Sequence, residues 1–373
     1  MHRPTFRQAH GQRIFQFILL LGMAACVYFV AQYVKQRLDS QGIATGFGFL
    51  WDRAGYNLGE SLIPYDGDDS YGRALLAGFS NTLKVAVAAI FFSLFLGFVA
   101  AVAMLSGHRT AERIAKLYVR VVRNTPVLLQ LFFWFGIFTV SMPAPRETYS
   151  PLPHLYISNR GINFPAPDGT AWAVIAIVVA VLLAAFWLSN QRRQAGKSGS
   201  WIFLLSTLGC ASLMILLTRA GVIAFEYPAA GRFSINGGAT ISPEFLTILI
   251  GLSVYTGTYI AEVLRGAVES ISTGQMEAAQ ALGLSQGQGL RLVVLPQATR
   301  VAMPAVVSEL LNLVKNSSLG VAVGYPELVS AGNTAMNQTG QAIELIAIYM
   351  LFYVTLNYVI TKLSHVLEAR YEW

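Results

Sequence analysis

Eight runs of mainly apolar residues, each roughly 20 residues long, alternate with polar connections along the chain. They are Ile14–Val34, Gly78–Ser106, Val122–Val140, Ala171–Ser189, Trp201–Arg219, Phe245–Arg265, Val301–Asn316 and Ile343–Leu363. About 20 residues at about 1.5 Å each cross a hydrocarbon core about 30 Å thick. That solvent offers peptide groups no partner, so such runs predict helices, whose backbone bonds are internal. The expected fold class is all-α: a polytopic membrane protein of about eight transmembrane helices. Two connections are long and rich in turn formers, Gln36–Gly72 and Ser141–Thr170. The second holds Pro143, Pro145, Pro151, Pro153, Pro165 and Pro167. Proline at that density opposes helix and sheet, so both connections read as irregular caps, too small to bury a core of their own.

Composition agrees. Charged residues are 12% of the 373 and apolar residues 54%, against about 25% and about 45–50% in an average soluble domain. Halving the charge removes the means to cover a soluble surface. A net charge of +7 would suggest nucleic acid as partner of a soluble protein; here it fits cytoplasmic loops facing anionic lipid. Cys26 and Cys210 both sit inside apolar runs, which indicates neither a disulfide nor a metal site. The first run follows Arg3, Arg7 and Arg13 as a signal peptide would. It exceeds the usual signal core of about 7–15 residues and lacks a small-x-small cleavage site, so it reads as a retained helix. With the amino terminus in the cytosol, sixteen of the 26 Lys and Arg residues fall inside and nine outside, with Lys84 within a span. The inside groups include Arg109, Arg113, Lys116, Arg120 and Arg123, then Arg192, Arg193 and Lys197; the outer loops carry Asp39, Asp52, Glu60, Asp66, Asp68 and Asp69. This is the asymmetry of the positive-inside rule.

The cytoplasmic stretch Ser272–Arg300 reads STGQMEAAQALGLSQGQGLRLVVLPQATR. Gln275–Leu282 predicts a short helix with alanines at 278, 279 and 281, Gly283 permits a sharp turn, and Leu284–Leu295 predicts a second helix that Pro296 ends before the next span. A loop that only joined two spans would need far fewer residues. The stretch is therefore either a knob for another protein to receive or a plain interfacial hairpin. The order Glu277-Ala278-Ala279, Gly283, Val293 and Leu295-Pro296 resembles the EAA loop of ABC importer permeases, with Val293 where isoleucine is usual. RNTPVLLQLFFWFG (Arg123–Gly136), YTGTYIAEVLRGAVESI (Tyr255–Ile271), LPQATRVAMPAVVSELLNLVKNSSL (Leu295–Leu319) and the final LEARYEW are similar to polar-amino-acid-uptake permeases of the histidine and glutamate type. The larger layout resembles general L-amino-acid permease subunits of Gram-negative bacteria. Residues 1–74 then add an amino-terminal helix and outer loop. Residues 75–373 form the permease transmembrane domain, with a two-helix insert at about 143–242.

The resemblance implies a bacterial inner membrane location and no enzyme chemistry in this chain. It implies four kinds of partner: a cytosolic ATPase dimer holding ATP and magnesium, a second permease subunit that is a related but different chain, a periplasmic amino-acid-binding protein, and the amino-acid substrate. The chain's one phosphate-loop fragment, Gly196-Lys197-Ser198, has Gln191 where the first glycine of the motif would stand and no preceding strand, so it reads as a solvated loop. The ATPase-coupling residues are then Glu277, Ala278, Ala279, Gly283, Leu295 and Pro296.

Polar groups at membrane depth face a cavity or each other. Gln130, Thr256, Glu309 and Asn312 fall near mid-depth, with Lys315 and Asn316 higher. Glu309, Asn312 and Asn316 share a helix face by their spacing. Glu309 with Lys315 could bind a zwitterion's ammonium and carboxylate, with Gln130 and Thr256 adding neutral bonds; alternatively Glu309 pairs with Lys315 or Lys84 to hold the bundle. Glu262 and Arg265 read as a structural pair. Arg123-Asn124-Thr125-Pro126 reads as a helix start capped by Thr125. An ion-coupled secondary transporter is the rival class, but it would favour paired broken helices in related halves, and no such duplication is visible. An intramembrane enzyme is disfavoured because none of the five histidines lies centrally in a span.

The charge asymmetry predicts that Arg192–Gly199 and Thr273–Arg300 are cytosolic and Asp39–Asp69 external. Single cysteines at Ser198 and Ser70 should react with an impermeant reagent from opposite sides; labelling from one side would overturn this topology.

Overall fold

The computed structural model describes residues 6–40, 45–194, 200–221, 224–231 and 234–368. Arg3, the Gly196-Lys197-Ser198 fragment, Arg232 and residues 369–373 of the final motif lie outside them. The chain is 74% helical. Its helices are α1 (Phe6–Ser40), α2 (Tyr71–Leu105), α3 (Arg109–Arg123), α4 (Val127–Gly136), α5 (Gly169–Gln194), α6 (Ser200–Arg219), α7 (Pro243–Glu269), α8 (Thr273–Ala281), α9 (Gln286–Gly289), α10 (Leu295–Asn316), α11 (Leu328–Thr339) and α12 (Ala342–Glu368). Each of the eight apolar runs lies on helix but for Ser106 at the end of the second and residues 124–126 near the start of the third. Six helical stretches among the described residues are long and apolar enough to cross a membrane: Phe15–Val34, Tyr71–Leu105, Trp201–Arg219, Pro243–Glu269, Gln286–Val323 and Ala342–Val366. In α5 the described apolar stretch is shorter, Ile177–Arg192.

The third run is not one straight span. α3 and the apolar segment Val127–Ser141 meet at a bend of 102°. The expected Thr125 cap is also absent: α4 starts after Pro126 with no side-chain cap, and the Thr125 hydroxyl donates back to the Val121 carbonyl at 2.9 Å. Gln130, buried in the first turns of α4, donates from Nε2 to the carbonyls of Val122 and Thr125, both at 2.9 Å. The last carbonyls of a helix have no partner within it, and here two side chains supply one across the bend.

The chain forms two compact units, 91–262 and 1–90 with 263–373, whose boundaries fall within α2 and α7. In the first, Ala100 and Met104 of α2, Ala115 and Val119 of α3 and Ala261 of α7 make a buried cluster. The Tyr118 hydroxyl donates to the Val254 carbonyl at 2.9 Å. The connection expected to be irregular forms antiparallel sheet: β1 (Tyr149–Leu152), β2 (Leu155–Ser158) and β3 (Gly161–Phe164) pair in order, and β3 continues onto β8 (Ala239–Ile241). Small pairs join β4 (Ala166–Pro167) to β5 (Phe225–Glu226) and β6 (Ala229–Ala230) to β7 (Ile235–Asn236). Proline density misled here because Pro151 lies in β1, an exposed strand paired on one side only. An edge strand tolerates a missing N–H. The sheet ties together the two connections that flank the α5–α6 hairpin.

In the other unit the first long connection also packs. A short 3-10 turn, Gly48–Trp51, brings Phe49 into a buried cluster with Ala54, Tyr71, Ala74 and Leu75, and with Leu328, Ala335, Leu345 and Phe352 from α11 and α12. Asn81, fully buried in α2, fastens it. Its amide donates to the carbonyls of Glu60 and Pro326 at 2.8 Å, and its carbonyl accepts from Leu62 N–H at 3.0 Å. Lys84 pairs with Glu60, so the proposed Lys84–Glu309 tie is replaced by one to the outer connection. Apolar residues hidden among turn formers, with no period to reveal them, made this core invisible in sequence.

Glu327, also fully buried, lies between two spans and caps α11, accepting from the N–H groups of Val329 at 2.9 Å and Ser330 at 2.7 Å. Burial outweighs these bonds and raises its carboxyl to about 7. The folded state therefore holds a proton that the unfolded chain releases between the ordinary carboxylate value and about 7. This contribution is full below the unfolded value and is lost as pH rises through the folded one. The thermal midpoint of purified protein should fall from pH 5 towards pH 8, and Glu327→Gln should flatten that slope. An unchanged slope in the variant would contradict the assignment.

Candidate functional site

The Ser272–Arg300 stretch folds as two short helices in contact. α8 ends in a Schellman turn: Gly283 N–H donates to the Gln280 carbonyl at 2.9 Å and Leu284 N–H to the Ala279 carbonyl at 3.1 Å. This geometry needs a left-handed residue after the cap, and Gly283 supplies it at φ +85°. α9 begins with a capping box: Gln288 N–H donates to Ser285 Oγ, and Ser285 N–H donates to Gln288 Oε1. Small residues set the spacing between the two helices, since a methyl group at Gly289 would meet Met276 Sδ at 2.7 Å and Ala279 Cβ at 3.4 Å.

The six coupling residues therefore divide. Ala279 is buried and holds the knob together, whereas Glu277, Ala278 and Gly283 are exposed, and nothing lies within 4 Å of a side chain begun at Gly283. Leu282, which the motif did not mark, is 84% exposed beside them; an apolar residue just before the turn glycine was the available sign. Leu295 and Pro296 do not end a helix, as expected, but open α10. A wide π turn, Leu290–Val294, precedes them, and Leu295 N–H donates to the Leu290 carbonyl five residues back. Proline at a helix start lacks only an N–H that has no partner there, so helix runs on from Gln286 to Val323.

The polar candidates lie in different units. Gln130 and Thr256 are buried in the 91–262 unit, and both Gln130 amide donor bonds serve the α3 end. Glu309, Asn312 and Lys315 lie on α10: Glu309, seven residues beyond Ala302, continues the line of Ala298 and Ala302, which pack on Ala267, and Asn312 and Lys315 turn progressively away from it. Glu309 is half-buried, while Asn312 and Lys315 are exposed. Among the described residues neither Glu309 nor Lys315 makes an ion pair. Elsewhere on the chain Arg265 pairs with Glu269 at 2.5 Å, and within the 91–262 unit Arg123 stacks over Tyr259 and approaches Glu262 at 3.9 Å.

Apolar helices joined through an exposed two-helix knob make a membrane protein with an element that another protein could receive. Residues 198–373 match the family described as "Binding-protein-dependent transport system inner membrane component", and the chain belongs to that family. It is 38% identical to the general L-amino acid transport system permease protein AapQ of Rhizobium johnstonii, over 96% of this chain and 90% of that one. It is 35% identical to the putative amino-acid ABC transporter permease protein YhdX of Escherichia coli, over 96% and 93%. It is also 34% identical to the glutamate/glutamine/aspartate/asparagine transport system permease protein BztB of Rhodobacter capsulatus, over 93% and 90%. A solved amino acid ABC transporter crystallised with histidines superposes with a TM-score of 0.49 at 18% identity, covering 80% of this chain and 95% of that one. Nothing in these comparisons supports the ion-coupled reading.

Gly283 separates strain from docking. Asparagine tolerates the left-handed conformation, so Gly283→Asn should leave substrate-stimulated ATP hydrolysis by the assembled complex within about threefold of the parent. Gly283→Trp, with a bulky ring on the exposed tip, should abolish it while membrane insertion persists. Retained stimulation in the tryptophan variant would exclude this knob as the coupling element.

Proposed function

We infer that this chain is one of two permease subunits of an ATP-driven amino-acid importer. The carrying observation is the exposed Glu277–Pro296 knob on a chain similar over nearly its whole length to amino-acid permeases. Cytosolic ATPase subunits bind ATP and magnesium and grip the knob through Glu277, Ala278, Leu282 and Gly283. A binding protein delivers the amino acid to the outer face. Closure of the ATPase pair moves the knobs, and α10, continuous with the knob through the π turn, carries that motion into the membrane.

The substrate path runs along the α10 face that bears Glu309, Asn312 and Lys315. Polar side chains at that depth need a water-filled path or a second subunit to cover them, which favours a face lining the route between two permease subunits. Glu309 would accept from the ammonium and Lys315 would donate to the carboxylate. With Lys84 held by Glu60, the structural alternative for Glu309 loses one of its two partners.

Since all amino acids share those two groups, Glu309→Gln and Lys315→Met should each impair uptake of neutral and acidic substrates alike. A bond to a charged group is worth about 1.5–3 kcal/mol, so each loss should weaken binding by about ten- to a hundredfold. Complex yield should stay normal. Low yield restored by neutralising both residues together would instead make them a structural pair.

A further inference from the structure

α3 carries three chemically distinct faces. Ala115, Tyr118, Val119 and Val122 follow helical spacing on the packed face, where Ala115 and Val119 meet Ala100, Met104 and Ala261. Ile114, Leu117 and Val121, spaced i, i+3 and i+7, form a second face that stays 64%, 60% and 55% exposed. Arg109, Arg113, Lys116 and Arg120, spaced i, i+4, i+7 and i+11, are all exposed and make the third. At about 100° per residue these faces lie roughly 120° apart. Lys116 is engaged by Glu112 at 2.5 Å, whereas Arg109, Arg113 and Arg120 form no ion pair among the described residues.

The bend fixes how such a helix meets the bilayer. α3 holds too many cations to cross hydrocarbon, and it meets the apolar Val127–Ser141 segment at 102°. If that segment runs along the membrane normal, α3 lies close to the membrane plane. In that pose, with one face against the protein, the apolar stripe points into acyl chains and the arginine stripe lies sideways at the headgroup level. An apolar face flanked by a cationic one is the pattern of helices seated in anionic lipid interfaces, where each Lys or Arg near the surface adds attraction. A protein partner would have to present acidic and apolar surface in the same oblique arrangement; a phospholipid carries both in one molecule.

We propose that α3 is an interfacial helix that holds anionic phospholipid, with Arg109, Arg113 and Arg120 on the headgroup phosphates and Ile114, Leu117 and Val121 among the acyl chains. The proposal rests on the membrane placement of the chain and not on its substrate. Its site is the bend that positions α4, so bound lipid steadies the α3–α4 angle.

The test uses the whole transporter in nanodiscs of fixed composition, phosphatidylglycerol in phosphatidylcholine. A bimane label is placed at Leu117→Cys in a Cys26→Ser, Cys210→Ser background. Bromine is carried on the acyl chains of one lipid at a time. Brominated phosphatidylglycerol should quench at least about twofold more per mole than brominated phosphatidylcholine. Arg109→Gln/Arg113→Gln/Arg120→Gln should equalise the two lipids while preserving total quenching, and raised salt should weaken the preference without any substitution. Absence of quenching from both lipids would mean that protein or water covers the apolar face, and equal quenching in the parent would remove the anionic preference; either result overturns the proposal.

Discussion

Hydrocarbon gives an orphaned peptide group nothing to bond to, and each irregularity in this chain is organised around that constraint. Where the third apolar run bends, Thr125 and Gln130 reach back to carbonyls at the end of α3. Where Pro296 removes a donor, a π turn absorbs the mismatch and helix continues into α10. Where α11 begins between two spans, Glu327 receives two of its free N–H groups. Polar side chains at these places first complete a backbone.

That constraint separates two kinds of polar residue with similar sequence signatures. Asn81, Gln130 and Glu327 are buried and bonded to main-chain groups, so their removal would leave donors or acceptors stranded. Glu309, Asn312 and Lys315 sit half-buried or exposed on α10, Glu309 in line with its packed alanines and Asn312 and Lys315 turned away from them. The first kind builds the fold. The second is left for water, a second subunit or substrate, and it is the kind from which a transport path can be made.

The knob shows the same economy at the membrane edge. A Schellman turn and a capping box close its two short helices with their own atoms, and Ala279 against Gly289 brings them close without large side chains. Gly283 serves the turn through its backbone, while the side chains of Glu277, Ala278 and Leu282 stay exposed to meet a partner. A projection whose interior is self-sufficient can transmit force as a unit, and the continuous helix behind it gives that force a direction.

Sequence alone determined what depends on local order along the chain. Apolar runs set the helices, basic loops set the expected orientation, and the spacing from Glu277 to Pro296 marked the knob and the family. Tertiary structure decided what depends on distant partners. The 102° bend falls at residues 124–126, where the sequence marks a helix start, but its angle depends on how α3 packs, because apolar content reports depth and not direction. The β-sheet that closes off the α5–α6 hairpin joins strands about 80 residues apart, with Pro151 harmless only because β1 is an edge. The outer connection's core exists because Asn81 and Phe49 find partners in and beside α11 and α12, contacts that carry no period in sequence. Gln130 shows that a polar side chain in an apolar run signals only that some partner is required; that its amide meets the Val122 and Thr125 carbonyls is fixed by the fold.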